Sequence, residues 1–315
     1  MSQKKLIMKN LILIFTAFLA IIGVQSCSDD LFEQVVTIDV PAHTSKLALS
    51  SSFDNLDTVV RVFVGQSVGI LDDSTSQTVS NAQLQLLKNG TSLGTFLPQS
   101  NGWQSLKLSA PLREDITAEY TLKANANGFT EVKSTQKMPI LVPIVTAKLV
   151  IDTTQDMTGS NGGFNENEQN RDKITLEFQD PAGSSEYYIV NILLLVTNRF
   201  GSSYYQYIGL RTRDPIAEDN RDGLLIAGNS FDGKKYSLNC STRVQKEWFS
   251  NGNTAKLYVV LSSITKDEFF YKKSLYEYYE SSSNPFAEPV IVRSNVENGY
   301  GFFGIRAVSK FEFQL

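Results

Sequence analysis

His43 is the only histidine among 315 residues, and this removes the familiar catalytic constellations at once. A Ser-His-Asp triad, a Cys-His pair and a multi-histidine metal site each need an imidazole beside the reacting group, whereas His43 sits near Pro41 at the start of the chain. Cys240, in the run Leu238-Asn239-Cys240-Ser241, reads as a small buried hydrophobe rather than a nucleophile. Adjacent acids such as Asp72-Asp73 could serve glycoside hydrolysis only if two carboxyls were held at a set separation, and neighbours in a loop point apart. No catalytic residue, metal or cofactor is implied, and the chain reads as a non-enzyme.

Two further patterns could hold a ligand. Gly299-Tyr300-Gly301-Phe302-Phe303-Gly304 satisfies G-x-G-x-x-G. A dinucleotide site needs that pattern to follow a strand and open a helix, but Ile305 to Phe313 alternates as a strand, so nucleotide binding is rejected. The stretch 152–172 is rich in Asn, Gly, Gln and acids. Its carboxylates and amides could coordinate calcium, yet the spacing of a calcium-binding loop is absent, and a surface loop is the preferred reading.

Cys27 has the clearest chemistry. Ahead of it stand a basic start (Lys4, Lys5, Lys9), an apolar run from Leu11 to Val24 and a short polar approach through Gln25-Ser26, the three parts of a secretory signal. The apolar run is short for a membrane span, which needs about 20 residues. A cysteine after a small residue at this point resembles a bacterial lipobox. Cleavage after Ser26 would leave Cys27 as a lipidated N-terminus, anchored by more than the two signals that stable attachment requires. An uncleaved helix, or a secreted protein with an incidental cysteine, is the alternative. Ser28-Asp29-Asp30 resembles the acidic tag by which Bacteroidota export lipoproteins to the outer face of the outer membrane; the plain reading is a solvated tether.

Loss of residues 1–26 removes three lysines and no acids, so the formal charge moves from −4 to −7, and this argues against a nucleic-acid partner. Once Cys27 is lipidated, Cys240 is the only thiol left, and no internal disulfide can form. The length suggests two domains, and the alternating β-branched and aromatic runs suggest strands.

The expected organisation is a signal over 1–26, an acidic lipidated tether over 27–34, a β-sandwich over 35–138, a two-proline linker over 139–143 and a larger β domain over 144–315. The first domain reads as an immunoglobulin-like or transthyretin-like antiparallel sandwich, with Asn89-Gly90 as a type I′ hairpin turn. The second reads as a larger antiparallel sandwich or barrel-like domain. In it Tyr188–Val196 is nearly continuous in apolar residues, which predicts a central strand covered on both faces. One helix is expected at about 266–280, with Thr265 and Glu268 as a capping box and Ile264 against Phe269 as a hydrophobic staple.

The ending carries a resemblance. Asn284-Pro285-Phe286-Ala287-Glu288-Pro289-Val290, then Ser294-Asn295-Val296-Glu297-Asn298-Gly299 and Gly301-Phe302-Phe303-Gly304, resembles the Bacteroidota lipoprotein family described as domain of unknown function 4249. The resemblance covers nearly the whole mature chain. It implies an outer-membrane lipoprotein encoded beside TonB-dependent receptors, with an accessory role in uptake, and it assigns no binding or catalytic residues.

Three readings follow: an accessory lipoprotein that docks on, or captures a nutrient for, a TonB-dependent transporter barrel; a fimbrillin-like structural or adhesive surface protein; and a glycan-binding module with Tyr205, Tyr207 and Trp248 as candidate contacts.

Overall fold

The computed structural model describes residues 42–69, 77–112, 117–151, 171–183, 186–244, 252–282, 284 and 286–313. Cys27, Ser28, Asp29, Asp30, Asp72, Asp73 and Trp248 lie outside the described residues, as does nearly all of 152–172. Thr44–Leu315 forms one compact unit, separate from Met1–His43.

In the first part of this unit the strands are β1 (Leu47–Asp54), β2 (Val59–Gln66), β3 (Gln77–Thr78), β4 (Gln83–Lys88), β5 (Thr91–Ser92), β6 (Leu97–Pro98), β7 (Trp103–Lys107), β8 (Glu119–Asn125) and β9 (Val132–Lys137). Alternation decides which face each strand buries: Leu47, Leu49 and Phe53 of β1 and Val60, Val62 and Val64 of β2 all point into one core. Asn89 and Gly90 take φ of 49° and 80°, as a type I′ turn requires, and join β4 to β5. The chain that returns from this turn is divided. β5 pairs with β4 in one sheet, whereas β6 pairs with β7 in another, so the chain changes layer between Ser92 and Leu97.

The second part contains β10 (Ile144–Val150), β11 (Asp172–Gln179), β12 (Tyr187–Thr197), β13 (Ser203–Ile208), β14 (Arg211–Thr212), β15 (Ala217–Asn220), β16 (Gly223–Ala227), β17 (Lys235–Thr242) and β18 (Thr254–Ile264). The helix α1 (Lys266–Ser282) and the long strand β19 (Tyr300–Phe313) follow. The chain is mainly β, and no sheet closes into a barrel among the described residues.

One large sheet runs β15-β16-β12-β18-β19-β1-β2-β7-β6, with β13 on β12 and β3 on β2. Two four-stranded sheets, β5-β4-β8-β9 and β10-β11-β17-β14, accompany it. Met138 belongs to the core shared with the first of these, and Val142 to the core shared with the second. β19 serves both. Phe303, Ile305 and Ala307 enter the first core, while Phe311 and Phe313 pack in the second. Ser309, midway between them on the same face, accepts a 3.1 Å hydrogen bond from the Ile144 N–H, where the chain passes from one core to the other.

β19 pairs in parallel with β1 through Tyr300–Arg306 and antiparallel with β18 through Arg306–Phe313. Each half therefore lacks a strand neighbour on one edge, and two asparagines fill the gaps. Asn295 donates to the Phe303 carbonyl (2.7 Å) and accepts from its N–H (2.9 Å), and Asn55 accepts from the Val308 N–H at 2.8 Å. Amide side chains supply here the partners that buried backbone groups require.

The glycines of the G-x-G-x-x-G pattern belong to this closure. Gly301 sits at φ 109°, and a Cβ there would lie 1.8 Å from the Leu49 carbonyl oxygen. Gly304 leaves room for the Phe302 ring and the Glu268 carboxylate. The pattern packs strand against strand and against α1.

Candidate functional site

α1 lies on the face of the large sheet opposite the two cores. Thr265 caps it, accepting a 3.2 Å hydrogen bond from the Glu268 N–H. Ile264 and Phe269 pack in one buried cluster with Ile189 and Leu225, and Tyr271 stacks on Phe302 with ring centroids 4.5 Å apart. The capping box is only half formed, because the Glu268 side chain does not return to Thr265. It turns instead toward the sheet.

Glu268 is fully buried, and its Oε1 accepts from Arg306 Nε at 2.7 Å and Nη2 at 2.6 Å. Lys272, one turn along, is 10% exposed at its side chain and stands 3.9 Å from the same oxygen. Its ammonium also pairs with Asp222. Two cations and two carboxylates thus form a neutral chain, Asp222–Lys272–Glu268–Arg306, between α1, β19 and the tip of the β15–β16 hairpin. Among the described residues, Glu268 Oε2 has no hydrogen-bond partner. Burial opposes the charge of Arg306, but the Glu268 carboxylate outweighs it and raises the guanidinium further above its ordinary value. Burial likewise works against an ionised Asp222, yet Lys272, with help from Arg306 and Arg221, holds its carboxyl below the usual range.

The hairpin tip is fastened to its surroundings. Asn220 accepts from the Asp222 N–H (3.2 Å) and donates to the Lys272 carbonyl (3.1 Å), while Asn191 donates to the Asp222 carbonyl at 3.3 Å. Between this tip and the C-terminal half of α1 opens a cleft of about 300 Å³, lined by Asn220, Arg221, Asp222, Lys272, Leu275, Tyr276 and Tyr279. The Arg221 guanidinium lies over the Tyr279 ring, 4.8 Å from its centroid. This array can hold a polar ligand. The charges of Asp222, Lys272, Glu268 and Arg306 neutralise one another.

A second surface lies on β13. Leu193 and Leu195 of β12 stand opposite Tyr207 and Tyr205, so both tyrosines share the α1 face of the sheet. They are 69% and 63% exposed, and Tyr204 on the other face is 51% exposed. Tyr207 lies within electrostatic reach of Arg306. The structure thus sets Tyr205 and Tyr207 side by side; Trp248 is outside the described residues. Cys240 is 6% exposed in the second core, and burial pushes its thiol up to about 12. His43 is exposed.

Sequence reasoning missed Arg221, Asp222, Lys272 and Arg306. The Glu268–Lys272 spacing of four was readable as a helical ion pair, but such pairs ordinarily lie in solvent. Nothing in the sequence placed this one against a sheet.

A family model described as "Domain of unknown function (DUF4249)" matches residues 33–312. No curated protein matches the chain at a significant level. Among solved structures, the "Yeast delta-COP-I mu-homology domain" aligns at 10% identity over 86% of this chain and 97% of its own, with a TM-score of 0.15, too low to carry any argument.

Proposed function

This chain belongs to the family described as domain of unknown function DUF4249, and from that premise we propose that it is a surface-anchored outer-membrane lipoprotein, held by Cys27. It binds rather than catalyses, as an accessory of a TonB-dependent transporter in nutrient uptake. The observation that carries the docking role is the edge of β13. This strand hydrogen-bonds to β12 on one side, and no other strand pairs with it among the described residues. Its sequence, Ser203-Tyr204-Tyr205-Gln206-Tyr207-Ile208, has no charge and no proline. Edges are normally blunted by such residues because an open ladder recruits other strands. An unguarded edge bearing three exposed tyrosines suits the addition of an extended segment from a partner, with rings that are apolar on the face and polar at the tip.

The test is co-purification of the full-length protein after detergent extraction. A stoichiometric outer-membrane barrel should accompany it, and Tyr205→Pro, which removes a donor that faces away from β12 on the open edge, should reduce recovery of the barrel at least about tenfold. Cys27→Ser should shift the protein from the detergent phase to the aqueous phase. Polymeric ladders without a barrel would instead favour the structural, fimbrillin-like reading. A glycan-array signal lost on Trp248→Ala, with no barrel present, would favour glycan binding.

A further inference from the structure

The cleft between the β15–β16 hairpin and α1 holds an unusual cation. Lys272 and Arg306 are matched by Asp222 and Glu268, so those four charges cancel. Arg221 has no carboxylate within ion-pair distance among the described residues, and its contact is the Tyr279 ring. Nor is it a loose surface side chain. The turn that carries it is tied down by Asn220 to the helix backbone, by Asp222 to Lys272 and by Asn191 to the Asp222 carbonyl. Its contact with the Tyr279 ring, 4.8 Å from the centroid, holds the guanidinium beside the cleft. In a chain of formal charge −4, this is a preorganised positive centre with no ion-pair partner of its own among the described residues, although its charge is felt by Asp222.

We propose that this cleft binds a small monocarboxylate through Arg221, with the apolar body of the ligand against Leu275 and Tyr276. Three observations select this class. The charge left over at the site is a single positive one, which matches a monoanion; a phosphate dianion would need further cations. A flat guanidinium edge presents two parallel N–H donors, the geometry of a carboxylate. The remaining lining includes a leucine and two tyrosines, and a cleft of about 300 Å³ is at the small end of ligand sites. Asn220 and Asp222 are engaged in holding the turn, so Arg221 is the recognition residue. Tyr279 is a positioning residue that acts through it.

This site is separate from the β13 edge, so its failure leaves the docking reading standing, and the reverse also holds. The experiment is equilibrium titration and saturation-transfer NMR on the detergent-solubilised full-length protein. The probes are benzoate, its neutral isostere benzamide, and inorganic phosphate. Benzoate should bind at least about tenfold tighter than benzamide or phosphate. Arg221→Gln should weaken benzoate to the level of benzamide while leaving thermal unfolding unchanged, because the side chain is exposed. Tyr279→Leu should weaken it several-fold, with benzamide unaffected. Equal binding of benzoate and benzamide, unchanged binding in Arg221→Gln, tighter binding of phosphate, or no saturable binding of benzoate would each overturn the proposal.

Discussion

Glu268 places a carboxylate where solvent does not reach it, and the free energy of that placement depends on Arg306. An ionised pair in a poorly solvated setting recovers its desolvation cost only when both partners are present. Glu268→Ala should therefore leave the Arg306 guanidinium without its counter-charge and lower stability by about 3 kcal/mol, measured by urea unfolding. Asp222 behaves differently, because its side chain is 54% exposed and solvent screens the pair. Its carboxyl is held below the ordinary 3.8 by Lys272. The associated stability is fully present above that ordinary value and is lost as pH falls through the depressed folded value. In paired unfolding curves, the advantage of the wild type over Asp222→Asn should be constant above about pH 5 and shrink below about pH 4. A difference that stayed flat to pH 2 would mean that Lys272 does not hold the carboxylate.

At the level of elements, the informative strand is β19. Its residues from Ile305 onward were readable as a strand by alternation, and Asn89-Gly90 was readable as a turn, because both signals are local. The parallel pairing of β19 with β1 was not readable. It joins Ala48 to Tyr300 and Asp54 to Arg306, across almost the whole chain, and no local pattern encodes a partner at that separation. The requirement shows only as Gly301, where a side chain would meet the Leu49 carbonyl at 1.8 Å in a φ region closed to most residues. Gly301→Ala should cost more than about 3 kcal/mol or prevent folding, with early loss of amide protection across β1 in hydrogen exchange. Among the described residues Gly90 has nothing within 4 Å of where its Cβ would lie, so Gly90→Ala should cost only the strain of its turn, about 1 kcal/mol.

For the whole molecule, the two cores share one sheet, and β19 crosses both. Phe303 is fully buried and Ile305 equally so in the core built by the first half, and truncation of such side chains costs about 3–5 kcal/mol each. A fragment of residues 44–143 lacks both, together with the ladder that β19 offers β1. It should show no cooperative unfolding transition by circular dichroism, and adding a synthetic 294–315 peptide should restore one. Independent folding of the fragment would show that β1 to β9 carry a sufficient core alone.

By itself the sequence determined the β character, the alternating faces, the capped helix with its staple and the family, because each is written in neighbouring residues: periodicity, turn chemistry and a recognisable ending. The buried charge chain, Arg221 held on Tyr279 and the edge position of β13 among the described residues were decided by tertiary structure alone. Each depends on which surface another element covers. A Glu-x-x-x-Lys spacing is the same string whether it faces water or a sheet, and a strand becomes an edge only when nothing is laid beside it.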